Sequence, residues 1–243
     1  MNVMKEEKMD YKPKLTKERR RSVCVHEAGH AVISALCGIF VFRVAVAPEG
    51  AESWEIESRK GKMMTDLWGV CFTSDAPIDI GLLLEWSEED GFYRVNRQNE
   101  QLMGGFEILQ EARHVAYVRH KLRAHICGLL AGPLAEQIYE DEGVSVSFPD
   151  GGDPAGDIEI AMGLSRLIQS LRGVEFDHAA RITEAALMNP EVWAMVLRLA
   201  DELERVGDID EGLEAFLPAK VPDWPTSPLA RKERPFIVRP MEI

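Results

Sequence analysis

His26-Glu27-Ala28-Gly29-His30 constrains this chain more than any other segment. It lies within a stretch, Thr16 to about Cys37, that reads as one helix. Residues four apart on a helix stand one turn above each other on the same face. His26 and His30 can therefore both point an imidazole at one metal ion. Glu27 sits on the same turn, placed to take a proton from water. This is the H-E-x-x-H arrangement of zinc hydrolases. Zinc held by two imidazoles and one further ligand keeps a position open, and there the pKa of water falls from about 15.7 to about 7. The plainer alternative is two helix histidines, one of them capped by a carboxylate. The apolar run Ala31, Val32, Ile33 and Leu36 argues for metal, because it buries the second half of the helix. A buried histidine pair beside a glutamate is costly unless something satisfies it.

A site of this kind needs a third protein ligand. Ala31–Val41 holds no His, Asp or Glu, so the ligand comes from a distant segment. His114, His120 and His125 fall at spacings of six and five on a later helical stretch and do not share a face. His178 lies on another amphipathic segment. The glycine-rich loop at 150–157 is the better source, with Asp150, Asp153 and Asp157 as candidates. Any of the three could instead cap the helix that follows.

The net charge of −13 and a pI near 5.0 argue against general nucleic-acid binding. The balance is uneven: residues 1–21 carry eight Lys/Arg against four Asp/Glu, which reads as a basic, flexible arm over 1–15. Cys24, Cys37, Cys71 and Cys127 form no C-x-x-C pair and have apolar neighbours. They read as buried thiols in a reducing compartment. No signal peptide and no apolar run of about 18 residues is present, so the expectation is a cytoplasmic chain without a membrane span.

After Gly38, Phe40–Ala47 reads as a strand closed by the Pro48-Glu49-Gly50 turn. Residues 51–66 read as a polar loop, and Trp68–Thr73 as a second strand. A short strand is expected at Phe92-Tyr93-Arg94-Val95. From about Phe106, Leu122, Ile126, Leu129, Leu130, Leu134 and Ile138 mark one apolar helical face, with a kink or restart predicted at Gly132-Pro133. Asp157 opens another helix, and three more follow, about Asp177–Met188, Pro190–Val206 and a short Asp210–Phe216. Residues 218–243 hold six of the thirteen prolines and read as an extended tail. The fold class is mainly α with a small β-sheet (α+β), with H-E-x-x-H on the first long helix.

Four segments in order resemble the peptidase domain of FtsH-type zinc metalloproteases. His26-Glu27-Ala28-Gly29-His30-Ala31-Val32 is similar to its His-Glu-Ala-Gly-His-Ala helix. Phe42–Gly50 resembles the strand and turn that follow. Leu130-Ala131-Gly132-Pro133-Leu134-Ala135-Glu136 resembles its Leu-Gly-Gly-Arg-x-Ala-Glu helix, with Pro133 at the usual arginine. Gly156-Asp157-Ile158-Glu159-Ile160-Ala161 resembles the Asn-Asp-Leu/Ile-x-x-Ala segment that supplies the third zinc ligand. A match continues through the later helices to about Leu217. The resemblance implies His26, His30 and Asp157 as ligands of one zinc ion and Glu27 as general base. Glu136 would orient a ligand histidine. It also implies a peptidase domain over 16–217, with an insertion at about 75–113.

The family joins this domain to a membrane anchor and an ATPase module. This chain has neither a membrane span nor a G-x-x-x-x-G-K-[ST] phosphate loop. The expectation is therefore ATP-independent cleavage of flexible or unfolded polypeptides. The strand Gly69, Val70, Cys71, Phe72 is expected to receive substrate by β-addition. A homo-oligomer or a separate ATPase partner stays open. The competing reading is a non-enzymatic binding or regulatory protein that keeps a peptidase fold. An intact Glu27 argues against it, since a scaffold has no need of a general base.

Overall fold

The computed structural model describes residues 14–58, 61–65, 67–74, 84–96, 112–141, 156–168, 174–221 and 224–225. Helix α1 spans Lys17–Cys37. Thr16 caps it by accepting from the Arg19 N–H at 3.2 Å. Gly38 ends it in the left-handed region (φ 75°), where its N–H and that of Ile39 return to the carbonyls of Ala35 and Ser34. From Val23 to Cys37 every residue is buried except His26, which is half-buried. A helix covered on all sides is the centre of a fold, not a surface element.

The elements around α1 follow in chain order: β1 (Val41–Val46), β2 (Glu55–Glu57), β3 (Met63–Thr65), β4 (Gly69–Thr73), β5 (Leu84–Ser87) and β6 (Phe92–Val95). Then come α2 (Ala112–Glu140), α3 (Asp157–Ile168), α4 (Val174–Leu187), α5 (Pro190–Val206), β7 (Asp208–Ile209) and a 3₁₀ turn, Leu213–Phe216. The fold is mainly helical with small antiparallel sheets, as the sequence predicts.

Small residues bring α2 against α1. A Cβ on Gly29 would stand 2.7 Å from the Ala131 carbonyl oxygen, and one on Gly128 would stand 2.8 Å from Ser34 Oγ. Helix axes approach this closely only where the facing side chains are this small. The helix does not restart at Gly132-Pro133: α2 runs from Ala112 to Glu140 as one element with Pro133 inside it. Leu130, Ala131, Leu134 and Ala135 on either side of the proline are fully buried. Their packing offsets a local cost of about 3 kcal/mol.

β1 lies between β4 and β7, antiparallel to both. Its register with β4 pairs Val44 with Cys71 and Val46 with Gly69, with an irregularity between Val41 and Arg43. β4 is therefore an edge strand of this sheet, and it runs beside α1. The stretch 51–66 is not a plain loop. It carries the β2–β3 hairpin, in which Ile56 is buried between exposed Glu55 and Glu57. Alternation over three residues is too short to stand out in a sequence.

β6 takes the place predicted for a strand. Its partner β5, paired through Leu84↔Val95 and Trp86↔Tyr93, gave no such signal. This hairpin, within the stretch 75–113 that the sequence resemblance reads as an insertion, packs on α3. Residues 75–83 and 97–111 lie outside the described residues.

Two buried arginines tie distant elements. Arg20 donates to the carbonyls of Ala47, Glu204 and Leu203 at 2.9, 2.8 and 3.2 Å, giving Glu204 at the end of α5 a partner and Leu203 a second donor beside the Gly207 N–H. Arg123 of α2 makes a two-point pair with Glu175 of α4 at 2.6 and 2.8 Å. The described part of the tail does not lead away from the body. The Val221 N–H donates to Leu36 O at 3.0 Å and Trp224 is buried in the core. Leu15, at the end of the basic arm, is buried as well. No helix among the described residues is long and apolar enough to cross a membrane.

Candidate metal centre

α1 and α2 hold the two histidines from behind. His30 Nδ1 donates to the Gly128 carbonyl at 2.7 Å, and His26 Nδ1 donates to Glu136 Oε2 at 2.9 Å. A ring whose Nδ1 carries the proton presents the Nε2 lone pair forward. Both Nε2 atoms face Asp157, the first residue of α3. Its Oδ2 lies 3.2 Å from His26 Nε2 and 3.1 Å from His30 Nε2. The three donor atoms lie within 4.8 Å of one another, and among the described residues this is the one such group of His, Cys, Asp or Glu.

The 3.1 and 3.2 Å separations between Asp157 and the two histidines fit zinc. Donors about 2.0–2.1 Å from a tetrahedral ion stand about 3.3 Å apart along each edge. Space for an ion is kept open from the other side by Gly132, where a Cβ would fall 2.6 Å from His26 Nε2. Two imidazoles and one carboxylate form a three-ligand set, which leaves a fourth position free.

The charges agree with the geometry. Burial pulls the His26 pKa down, but hydrogen bonds to Asp157 and Glu136 win and carry it up to about 10. His30 is raised too, with burial opposed by Asp157. Burial pushes Asp157 up, yet His30 and His26 hold its carboxyl well below the usual range. Glu136 is likewise lowered, to about 2, with burial outweighed by His26 and Arg19. The carboxylates of Asp157 and Glu136 thus make the site one that favours a positive charge at the two imidazoles.

Glu27 stands beside this focus and belongs to no ligand pair. It is buried, and burial raises its carboxyl pKa against the pull of His26 and His30. Gly69 on β4 permits this seat: a Cβ there would lie 2.6 Å from Glu27 Cγ and Oε1. The strand Gly69, Val70, Cys71, Phe72 thus starts at the general-base candidate and runs outward along the sheet edge.

Of the site residues named from the sequence, His26, His30 and Asp157 form one cluster, with Glu136 bonded to His26 and Glu27 beside it. His120 and His125 on α2 and His178 on α4 are not in the cluster. Asp150 and Asp153 lie outside the described residues, as does the side chain of His114. Sequence reasoning missed the Gly128 carbonyl, Gly132, and the outer partners of Glu136, Arg19 and Ser22. A signal existed for the glycines. Gly128, Gly132 and Ala135 recur at helical spacing on the face of α2 that meets the histidines.

No family model matches the chain, and no curated protein matches it. Its classification therefore rests on the site itself. His26 and His30 on the first long helix of a mainly helical fold, with Asp157 at the start of α3, form a set able to hold a single zinc ion and class the chain as a zinc metallopeptidase.

Proposed function

We propose that the chain is an FtsH-like zinc endopeptidase that hydrolyses unfolded or flexible polypeptides without ATP. The observation that carries this reading is the convergence of His26 Nε2, His30 Nε2 and Asp157 Oδ2 beside the buried carboxylate of Glu27. Zinc bound there supplies a Lewis acid that polarises a carbonyl and acidifies water.

The chain's own residues do the rest. Gly128 and Glu136 fix the rotation of the two imidazoles through Nδ1. Glu27 accepts a proton from the attacking water and returns it to the leaving amine, so the proton balance of hydrolysis closes within one side chain. An extended substrate added to the outer edge of β4 would pass Glu27 at Gly69, with Val70, Cys71 and Phe72 offering backbone partners. The four free thiols support a reducing compartment such as the cytoplasm.

Metal analysis and an activity assay test this together. Protein purified without added metal is expected to carry about one zinc per chain. It should cleave casein, and a chelator should stop cleavage. Glu27→Gln should keep the zinc and lose at least about 10²–10⁴ in rate. A chain that takes up no zinc on titration, or a Glu27→Gln variant of full activity, would overturn the assignment.

A further inference from the structure

The hairpin β5–β6 belongs to the insertion, and it lies along the helix that supplies the third ligand. Its contacts are close. A Cβ on Gly163 of α3 would stand 2.8 Å from both Leu84 Cδ1 and Tyr93 Cβ. Arg166, one turn further on, donates to the Tyr93 carbonyl and lays its guanidinium 4.0 Å from the centre of the Phe92 ring. It also reaches Met162 Sδ on its own helix at 4.0 Å. The seat runs in order, with Leu84 near Gly163 and the turn end of the hairpin near Arg166.

α3 has only twelve residues. A helix of that length is marginal alone, so its position depends on what packs against it. α2 covers one side, and the hairpin adds a second support. Asp157 sits at the first position of α3, six residues or about 9 Å from Gly163. A shift or tilt of α3 therefore moves the carboxylate directly. A metal ligand tolerates about 0.5 Å of misplacement.

We infer that the β5–β6 hairpin is a positioning device for the metal site. Phe92 and Arg166 clamp α3, so that Asp157 Oδ2 meets the two histidine Nε2 atoms. The inference rests on the zinc reading above and assigns a role to the insertion, which is this chain's own departure from the FtsH pattern.

The test measures zinc affinity of the full chain by competition with a chromophoric chelator, and the visible spectrum of the cobalt-substituted protein. Phe92→Ala and Arg166→Ala should each weaken zinc about tenfold, the lower end for partners that orient ligands. Each should also shift the cobalt bands. The double variant should lose no more than either alone, because both remove the same clamp. Arg198→Ala is the control. Arg198 stacks on Phe216 at 5.3 Å, away from the site, and its loss should leave zinc affinity and the cobalt spectrum unchanged. Phe92→Ala and Arg166→Ala variants with wild-type affinity and spectrum would overturn the inference and leave the zinc assignment standing. A wild-type chain that binds no zinc would overturn both.

Discussion

A Cβ at position 132 would fall 2.6 Å from His26 Nε2, inside the space that an ion shared by His26 and His30 needs. Gly132→Ala therefore sets two effects against each other. Alanine is the better helix former by about 1 kcal/mol, so α2 itself gains. The metal site loses, because both rings must turn away from the new methyl group. Zinc affinity should fall at least tenfold while helical content holds, which calorimetric titration and circular dichroism would show. Unchanged zinc binding would mean that the rings have room to spare. Glu136 acts on the same rings from behind. It is held by Arg19 and by Ser22 at 3.3 Å, and it accepts from His26 Nδ1. Glu136→Gln keeps an acceptor but loses the charge, and zinc affinity should fall about 10–100-fold in chelator competition. His26, Glu27 and His30 were legible in the sequence because helical periodicity alone aligns them. Asp157 is 127 residues beyond His30, and periodicity carries no information over that span. Residue reading left three aspartates open there, and only the resemblance singled one out. The Gly128 carbonyl could not be read at all, since every residue carries a backbone oxygen.

Among the helices and strands, local rules held where an element ends at a cap and failed where packing overrules propensity. Thr16 and Gly38 bound α1 within a residue of expectation, because each makes its own hydrogen bonds. Pro133 in α2 is the opposite case. The proline rule describes an exposed helix, whereas this one is held by fully buried neighbours. The same long helix depends on a buried ion pair that no local pattern announces. Arg123 and Glu175 are both buried, and they join α2 to α4 across 52 residues. Arg123→Ala removes a two-point partner from the buried Glu175 carboxylate and should lower stability in urea unfolding, by up to about 3–5 kcal/mol. Replacing both partners by apolar residues, Arg123→Met with Glu175→Leu, should recover most of that loss. If the single variant unfolds at the wild-type denaturant concentration, the pair contributes nothing and α4 is held by its other contacts.

Over the chain as a unit, the question is what the centre can reach. The metal site lies beside the edge strand β4, and the proposed function has an extended chain adding to that edge. The sequence contains no phosphate loop through which ATP hydrolysis could drive unfolding. A typical folded domain is stable by about 5–15 kcal/mol, so it presents only a minute unfolded fraction at any moment. A peptidase that does not pull must wait for that fraction or take flexible tails. The isolated chain should therefore cleave casein at a rate that ATP does not alter, and should leave a stable folded protein nearly intact over the same period. Mild denaturant should make the folded substrate cleavable in proportion to its unfolded population, for as long as the enzyme itself stays folded. That proportionality separates waiting from pulling: an enzyme that unfolds its substrate would be insensitive to the substrate's stability. Rapid cleavage of a stable folded protein without ATP would contradict this account and point to recognition of an exposed loop.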